Sequence, residues 1–195
     1  MSILKRVPTP IAFLFWMTLA TGLAYPLAVT GIASLLFPAR AGASLILVRG
    51  EVRGSRLLAQ DFHSGRYFRP RPSATGYTYV GSGASNLAPT SAALGAAVKD
   101  RAEAWRQAYG SEAPQDMLHS SGSGLDPDIS LEAALDQLDS VCAARALTPA
   151  QSEALGGQIR KEAAGRTSAI SSPRLNVVEL NLLLETDPRF ASPSQ

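Results

Sequence analysis

The groups that carry covalent chemistry are few in this 195-residue sequence and far apart. There are two histidines, His63 and His119, one cysteine, Cys142, and three lysines, Lys5, Lys99 and Lys161. A serine nucleophile needs a base within reach, only those two histidines could serve, and no G-x-S-x-G elbow is present. The histidines lack H-E-x-x-H spacing, and a single cysteine can build neither an internal disulfide nor a cysteine-based zinc site. No lysine lies in a glycine-rich loop and no G-x-x-x-x-G-K-S/T sequence occurs, so a phosphate-binding loop of that kind is excluded.

The remaining candidates are suited to binding. Gly122-Ser123-Gly124 could offer backbone N–H groups to an anion. Followed by Asp126-Pro127, the same residues suit a tight turn into a capped helix, which is the preferred reading. Arg71 is stiffened by Pro70 and Pro72, and is a candidate for a fixed ion pair, a partner contact or a bond to a loop carbonyl. Asn86 could satisfy loop backbone through its amide.

These groups stand behind a membrane anchor. The 27 residues from Ile11 to Phe37 contain no Asp, Glu, Lys, Arg or His. As a helix they reach roughly 40 Å, enough to cross a bilayer core of about 30 Å with tilt. A cleavable signal peptide is the rival, with Lys5 and Arg6 as its basic start and Ala39-Arg40-Ala41 as a loose cleavage site. Its apolar region would span only about 7–15 residues, so retention as an anchor is expected. Pro26 should bend the helix. Thr18 with Gly22, and Ala24 and Ala28 with Gly31, form small-residue stripes that allow a partner helix to approach. A ten-residue tail before a long domain favours an N-terminus inside, with residues 1–10 cytoplasmic and 38–195 extracytoplasmic.

Residues 38–195 hold 16 acidic and 16 basic residues, so nucleic acid is not an expected partner. The expected class is α+β: a single N-terminal transmembrane helix followed by one mixed α/β soluble domain. Leu45 to Val48, a turn at Arg49-Gly50 and Val52 to Leu58 predict a hairpin with an irregular return strand. A loop from Asp61 to Pro89 carries Phe62, Tyr67, Phe68, Tyr77 and Tyr79. Helices are predicted from a cap at Thr90 to Tyr109 with a stop at Gly110, and from Leu131 after Ser130 to Ala146. A third opens at the capping box Thr148-Pro149-Ala150-Gln151 and ends near Gly165. Cys142 falls on an apolar stripe and should be buried, and Leu175 to Leu184 leans towards helix over strand.

Four segments, YFRPRPSA (Tyr67 to Ala74), SGASNLAPT (Ser82 to Thr90), SGSGLDPDIS (Ser121 to Ser130) and RLNVVELNLLLE (Arg174 to Glu185), follow the anchor in this order. Together they resemble, over essentially the whole chain, the C subunit of the bacterial Kdp potassium-transporting ATPase. The resemblance implies a non-catalytic accessory subunit in the bacterial inner membrane. Its implied partners are a potassium-channel-like subunit, a P-type ATPase subunit phosphorylated from ATP and a very short membrane subunit. Potassium is then the transported ion of the complex, no cofactor is bound firmly, and ATP is met through the catalytic subunit, whose ATP affinity this subunit is proposed to raise while assisting assembly. The chain has no D-K-T-G-T phosphorylation sequence.

The family's nucleotide proposal rests on a helical glutamine with arginine three residues later; Gln137 matches the first and Ser140 replaces the second. The family's Gly-Gly is here Gly83-Ala84, which would strain any positive φ at the second position. Partner contacts are expected from Thr18, Gly22 and Pro26 in the anchor and from Tyr67, Phe68, Arg71 and Asn86 in the domain. A membrane-anchored extracytoplasmic adaptor or hydrolase is the alternative.

Overall fold

The structure, a computed structural model, describes residues 8–166 and 172–191. The chain divides into two compact units, Met1–Leu45 and Ile46–Gln195. A short helix and turn group with the apolar helix in the first unit.

The first unit contains α1 (Pro8–Leu19), a π-helical turn (Ala20–Ala24), α2 (Tyr25–Leu36) and the four-residue α3 (Pro38–Ala41). Pro8 to Leu36 is one helical run of 29 residues, long and apolar enough to cross a membrane, and none of its side chains is buried. It starts three residues before the expected span. Pro8 and Pro10 fit the first turn, where an N–H has no helical acceptor. It stops at Phe37, whose φ of −136° and ψ of 57° leave the helical region ahead of Pro38.

The helix meets Pro26 with a π-turn. In an α-helix the proline ring would press on the carbonyl of Gly22. Here the register shifts one residue earlier, with Tyr25 N–H donating to Ala20 O, so the turn widens. The Thr21 hydroxyl adds a bond to Met17 O at 2.7 Å.

The predicted hairpin, β1 (Leu45–Val48) and β2 (Glu51–Ser55), begins at the unit boundary. Arg49 and Gly50 have φ of 54° and 85°, the left-handed pair of a two-residue hairpin turn. After the long loop come α4 (Ala92–Tyr109), α5 (Gln115–Leu118), β3 (Asp128–Ser130), α6 (Leu131–Ala144), α7 (Pro149–Gly165), β4 (Arg174–Asn176) and α8 (Val177–Thr186). Strand β3 pairs antiparallel with β4, setting Ile129 opposite Leu175. Both side chains are fully buried.

Local signals account for most helix ends. Gly110 ends α4 in the left-handed conformation at φ 73°. The Ser130 hydroxyl accepts from Ala133 N at 3.0 Å, and both halves of the Thr148–Gln151 capping box are present. At the start of α4 the N-cap is Ser91, one residue past the expected Thr90, and it makes no side-chain cap bond. The ambiguous C-terminal segment divides in two. Arg174–Asn176 is strand, and the Asn176 side chain then caps α8, accepting from Val178 N and Glu179 N at 3.1 Å each.

Helices α6 and α7 pack as a helical hairpin around Val141, Leu155 and Ile159, joined in the core by Phe68, Leu180, Leu184 and Phe190. Gly156 permits the close approach, since a Cβ there would lie 3.1 Å from Leu138 Cδ2. Cys142 is 5% exposed as expected, and burial pushes its thiol pKa up, away from the reactive thiolate.

Candidate partner-binding site

The loop between β2 and α4 contains no strand, yet it is pinned at consecutive residues by two side-chain amides. Asn181 of α8 accepts from Phe68 N at 2.8 Å and donates to Phe68 O at 2.9 Å. Gln137 of α6 accepts from Arg69 N at 2.7 Å and donates to Arg69 O at 3.3 Å. Each amide occupies the place of a neighbouring peptide in a β-ladder, so the loop backbone is satisfied without one. Gln137 and Asn181 are 1% and 3% exposed.

Phe68, expected at a partner interface, lies in the core of this chain at 0% exposure. The amides on its own carbonyl and the next N–H fix the backbone so that its ring points inward. Gln137 is likewise enclosed, with both ends of its amide engaged by Arg69. Tyr67, which precedes Phe68, is half-buried, and its hydroxyl donates to Glu185 Oε1 at 3.0 Å.

Arg145, at the end of α6, stands with its guanidinium 5.6 Å from the Tyr67 ring centroid. It donates to Arg66 O, Phe190 O, Leu184 O and Glu185 Oε1, so one buried cation ties three chain segments together. Burial alone would raise the Glu185 carboxyl, but the hydrogen bonds from Arg145 and Tyr67 outweigh it and hold the pKa below the usual carboxylate range.

Farther along the loop, Arg71 makes the fixed ion pair that its flanking prolines favour. Nη1 meets Asp126 Oδ2 at 2.8 Å, while Nε and Nη2 donate to the carbonyls of Asp116 and His119 at 3.3 and 3.4 Å. Two of the readings open for it are thus realised together. The Tyr77 hydroxyl donates to Arg71 O at 2.8 Å. Burial, with Asp61 adding to it, pushes the Tyr77 pKa up to about 12.

Gly122-Ser123-Gly124 serves as a latch between loops. Ser123 O accepts from Gly83 N and from the Ser82 hydroxyl, at 2.9 Å each. Gly124 has φ of 72°, and a Cβ there would lie 2.9 Å from Gly83 O. Ala84 escapes the strain foreseen for it. The positive φ in this stretch, 52°, falls instead on Asn86, which is exposed. Asparagine tolerates that conformation better than most residues.

Two concavities flank the pinned loop. One, of about 320 Å³, lies against α4 and is lined by Phe62, Arg69, Tyr77, Arg101, Trp105 and Tyr109 among others. Trp105 and Tyr109 rings are 4.3 Å apart at their centroids, and Arg101 is held by Leu118 O and the Ser120 hydroxyl. The other, of about 630 Å³, lies between the hairpin and α8, with Ile46, Val48, Arg53, Tyr67, Leu182 and Glu185 on its walls. No group of three or more His, Cys, Asp or Glu side chains among the described residues is arranged to hold a metal. In the anchor, Thr18, Gly22 and Pro26 are all exposed.

Asn181 and Arg145 did not stand out in the sequence. The available signal was a lone amide within the apolar run of α8 and an arginine closing the apolar stripe of α6. Both are polar groups that burial obliges to find partners.

A family model described as KdpC, the c chain of the K+-transporting ATPase, matches residues 7–186. A potassium-transporting ATPase KdpC subunit of Methylobacterium nodulans is 46% identical over 185 residues, covering 87% of this chain and 90% of that protein. The corresponding protein of Pseudomonas putida is 47% identical over 170 residues, with 87% and 89% covered. That of Rhodopseudomonas palustris is 40% identical over 202 residues, with 95% and 99% covered. With its apolar N-terminal helix and mixed helical domain, the chain belongs to the KdpC family and is an accessory subunit of a potassium pump.

Proposed function

We propose that this subunit does no chemistry of its own and acts by docking, joining a channel-like subunit to a P-type ATPase subunit and a very short membrane subunit. The observation that carries this reading is the double amide clamp on Phe68 and Arg69. It holds an otherwise strandless loop in one conformation, with the Arg69 side chain exposed beside the aromatic cleft of Tyr77, Trp105 and Tyr109. A surface ordered before binding loses less entropy on association than a mobile one. Arginine and large aromatics are also the residue types that anchor protein interfaces. The exposed small-residue stripe of Thr18 and Gly22, beside Pro26, provides a second contact within the bilayer.

In this reading the N-terminal tail is cytoplasmic and the folded unit lies outside the inner membrane, because a long domain translocates largely regardless of its charge. Any effect on ATP affinity then reaches the catalytic subunit through assembly. Gln137 is a positioning residue for Arg69 rather than a nucleotide ligand, since its amide is already paired at both ends.

The test is co-purification from native membranes through a C-terminal tag, alongside potassium-stimulated ATP hydrolysis. Arg69→Glu should reduce recovery of the partner subunits and the coupled activity while leaving the thermal unfolding of this chain unchanged. Undiminished recovery with full activity would remove the cleft from the interface.

A further inference from the structure

The hairpin carries apolar side chains on its outer as well as its inner face. Ile46 is 5% exposed, whereas its neighbours Leu45 and Leu47 are 51% and 63% exposed. The two-residue turn sets Leu47 opposite Val52, which is 58% exposed, and Leu57 just beyond is 60% exposed. Scattered exposed apolar residues need no account, but these gather on one element. Three arginines lie close by in sequence, of which Arg49 and Arg53 also border the concavity on the inner face. Arg49 at the turn has no carboxylate partner among the described residues, while Arg53 and Arg56 pair with Glu51 and Glu179 through side chains more than 60% exposed.

Charge segregates in the same way. Residues 38–57 hold four arginines and one glutamate, a net +3, whereas residues 58–195 hold 12 basic and 15 acidic residues, a net −3. Only eight residues join Leu36 at the end of α2 to Leu45 at the start of β1, and four of them are in α3. That is roughly 30 Å of chain even if fully extended.

We propose that the outer face of the hairpin, Leu45, Leu47 and Val52 with Leu57, rests in the headgroup layer of an anionic bilayer. The apolar side chains reach the acyl boundary, and Arg49, Arg53 and Arg56 take lipid phosphates. Guanidinium groups match phosphate oxygens with paired N–H donors, and an amphipathic element beside a membrane span loses little by lying in the interface. Arg53 and Arg56, whose own side chains are more than 60% exposed, exchange the carboxylates of Glu51 and the partly buried Glu179 for phosphates, Glu179 keeping its pair with Arg166. The attraction is electrostatic in part and weakens with salt.

The test uses the full chain in lipid nanodiscs, with one nitroxide at Leu47→Cys in a Cys142→Ser background. Power saturation compares collisions with oxygen, which concentrates in lipid, and with an aqueous nickel complex. In discs containing phosphatidylglycerol the Leu47 label should be several-fold less accessible to nickel than a label at Val80→Cys, a site 99% exposed. The difference should shrink in pure phosphatidylcholine, at high salt, and in the triple variant Arg49→Gln, Arg53→Gln, Arg56→Gln. Equal nickel access at Leu47 and Val80 in the anionic discs would overturn the proposal. So would protection that appears only when the partner subunits are added, which would assign the face to a protein. If Cys142→Ser fails to fold, Leu47→Trp in the native background supplies the readout, with extra quenching by brominated lipid over the parent expected and its absence decisive against.

Discussion

Gln137 and Arg69 are joined through both ends of one amide: Oε1 accepts from Arg69 N at 2.7 Å, and Nε2 donates to Arg69 O at 3.3 Å. Asn181 repeats the arrangement on the preceding residue, Phe68. Two helices thereby stand in for the strands that this loop lacks.

Truncating either clamp should strand loop backbone groups. Gln137→Ala and Asn181→Ala are each expected to destabilise the folded domain by about 1–3 kcal/mol, the larger loss falling on Asn181, whose bonds are fully buried. Because the pinned residues are adjacent, the double variant should depart from additivity. Denaturant unfolding of the detergent-solubilised chain measures both quantities.

Arg145 is the buried cation on which Arg66, Leu184, Glu185 and Phe190 converge. Arg145→Ala should cost about 3 kcal/mol, mainly through orphaned carbonyls, since Glu185 is half exposed and can be rehydrated. The Glu185 pKa, held low in the folded state, should then return towards its ordinary value. A depressed carboxyl stabilises the fold above its unfolded pKa and loses that contribution as pH falls through the lower folded value. The stability gap between the native chain and Glu185→Gln should therefore be constant near neutral pH and close in acid. Thermal melts across an acid pH series follow it.

Tyr77 titrates in the opposite sense. With a folded pKa of about 12, the phenol favours folding below its unfolded value of about 10 and loses that contribution as pH rises from one to the other. Tyr67 and Tyr109 are raised as well, so alkaline ultraviolet difference spectra should show a late-ionising tyrosine signal that loses one component in Tyr77→Phe. An unchanged spectrum in that variant would contradict the assignment.

Gly124 and Gly122 offer a paired control in one loop. Gly124→Ala combines a left-handed φ with a Cβ 2.9 Å from Gly83 O, and should cost about 2–4 kcal/mol. At Gly122 a Cβ meets nothing within 4 Å, so Gly122→Ala should be near neutral. Equal losses at the two sites, measured by thermal unfolding, would show that the latch between Ser123 and Gly83 contributes nothing.

Some of this architecture was determined by the sequence alone. The long apolar N-terminal helix, the hairpin turn at Arg49 and Gly50, the Thr148 capping box and the stop at Gly110 all follow from neighbouring residues. Their determinants are an uninterrupted apolar run, a left-handed turn pair and side chains that reach backbone three residues away. Only the tertiary structure decided that Phe68 is core, that Gln137 pins Arg69 and that Asn181 pins Phe68. Those amides lie 68 and 113 positions from the residues they hold. The loop itself has no period from which its inward face could be read. Its conformation comes from polar groups on α6 and α8 that must be satisfied once those helices are buried, a constraint that exists only after the chain has folded.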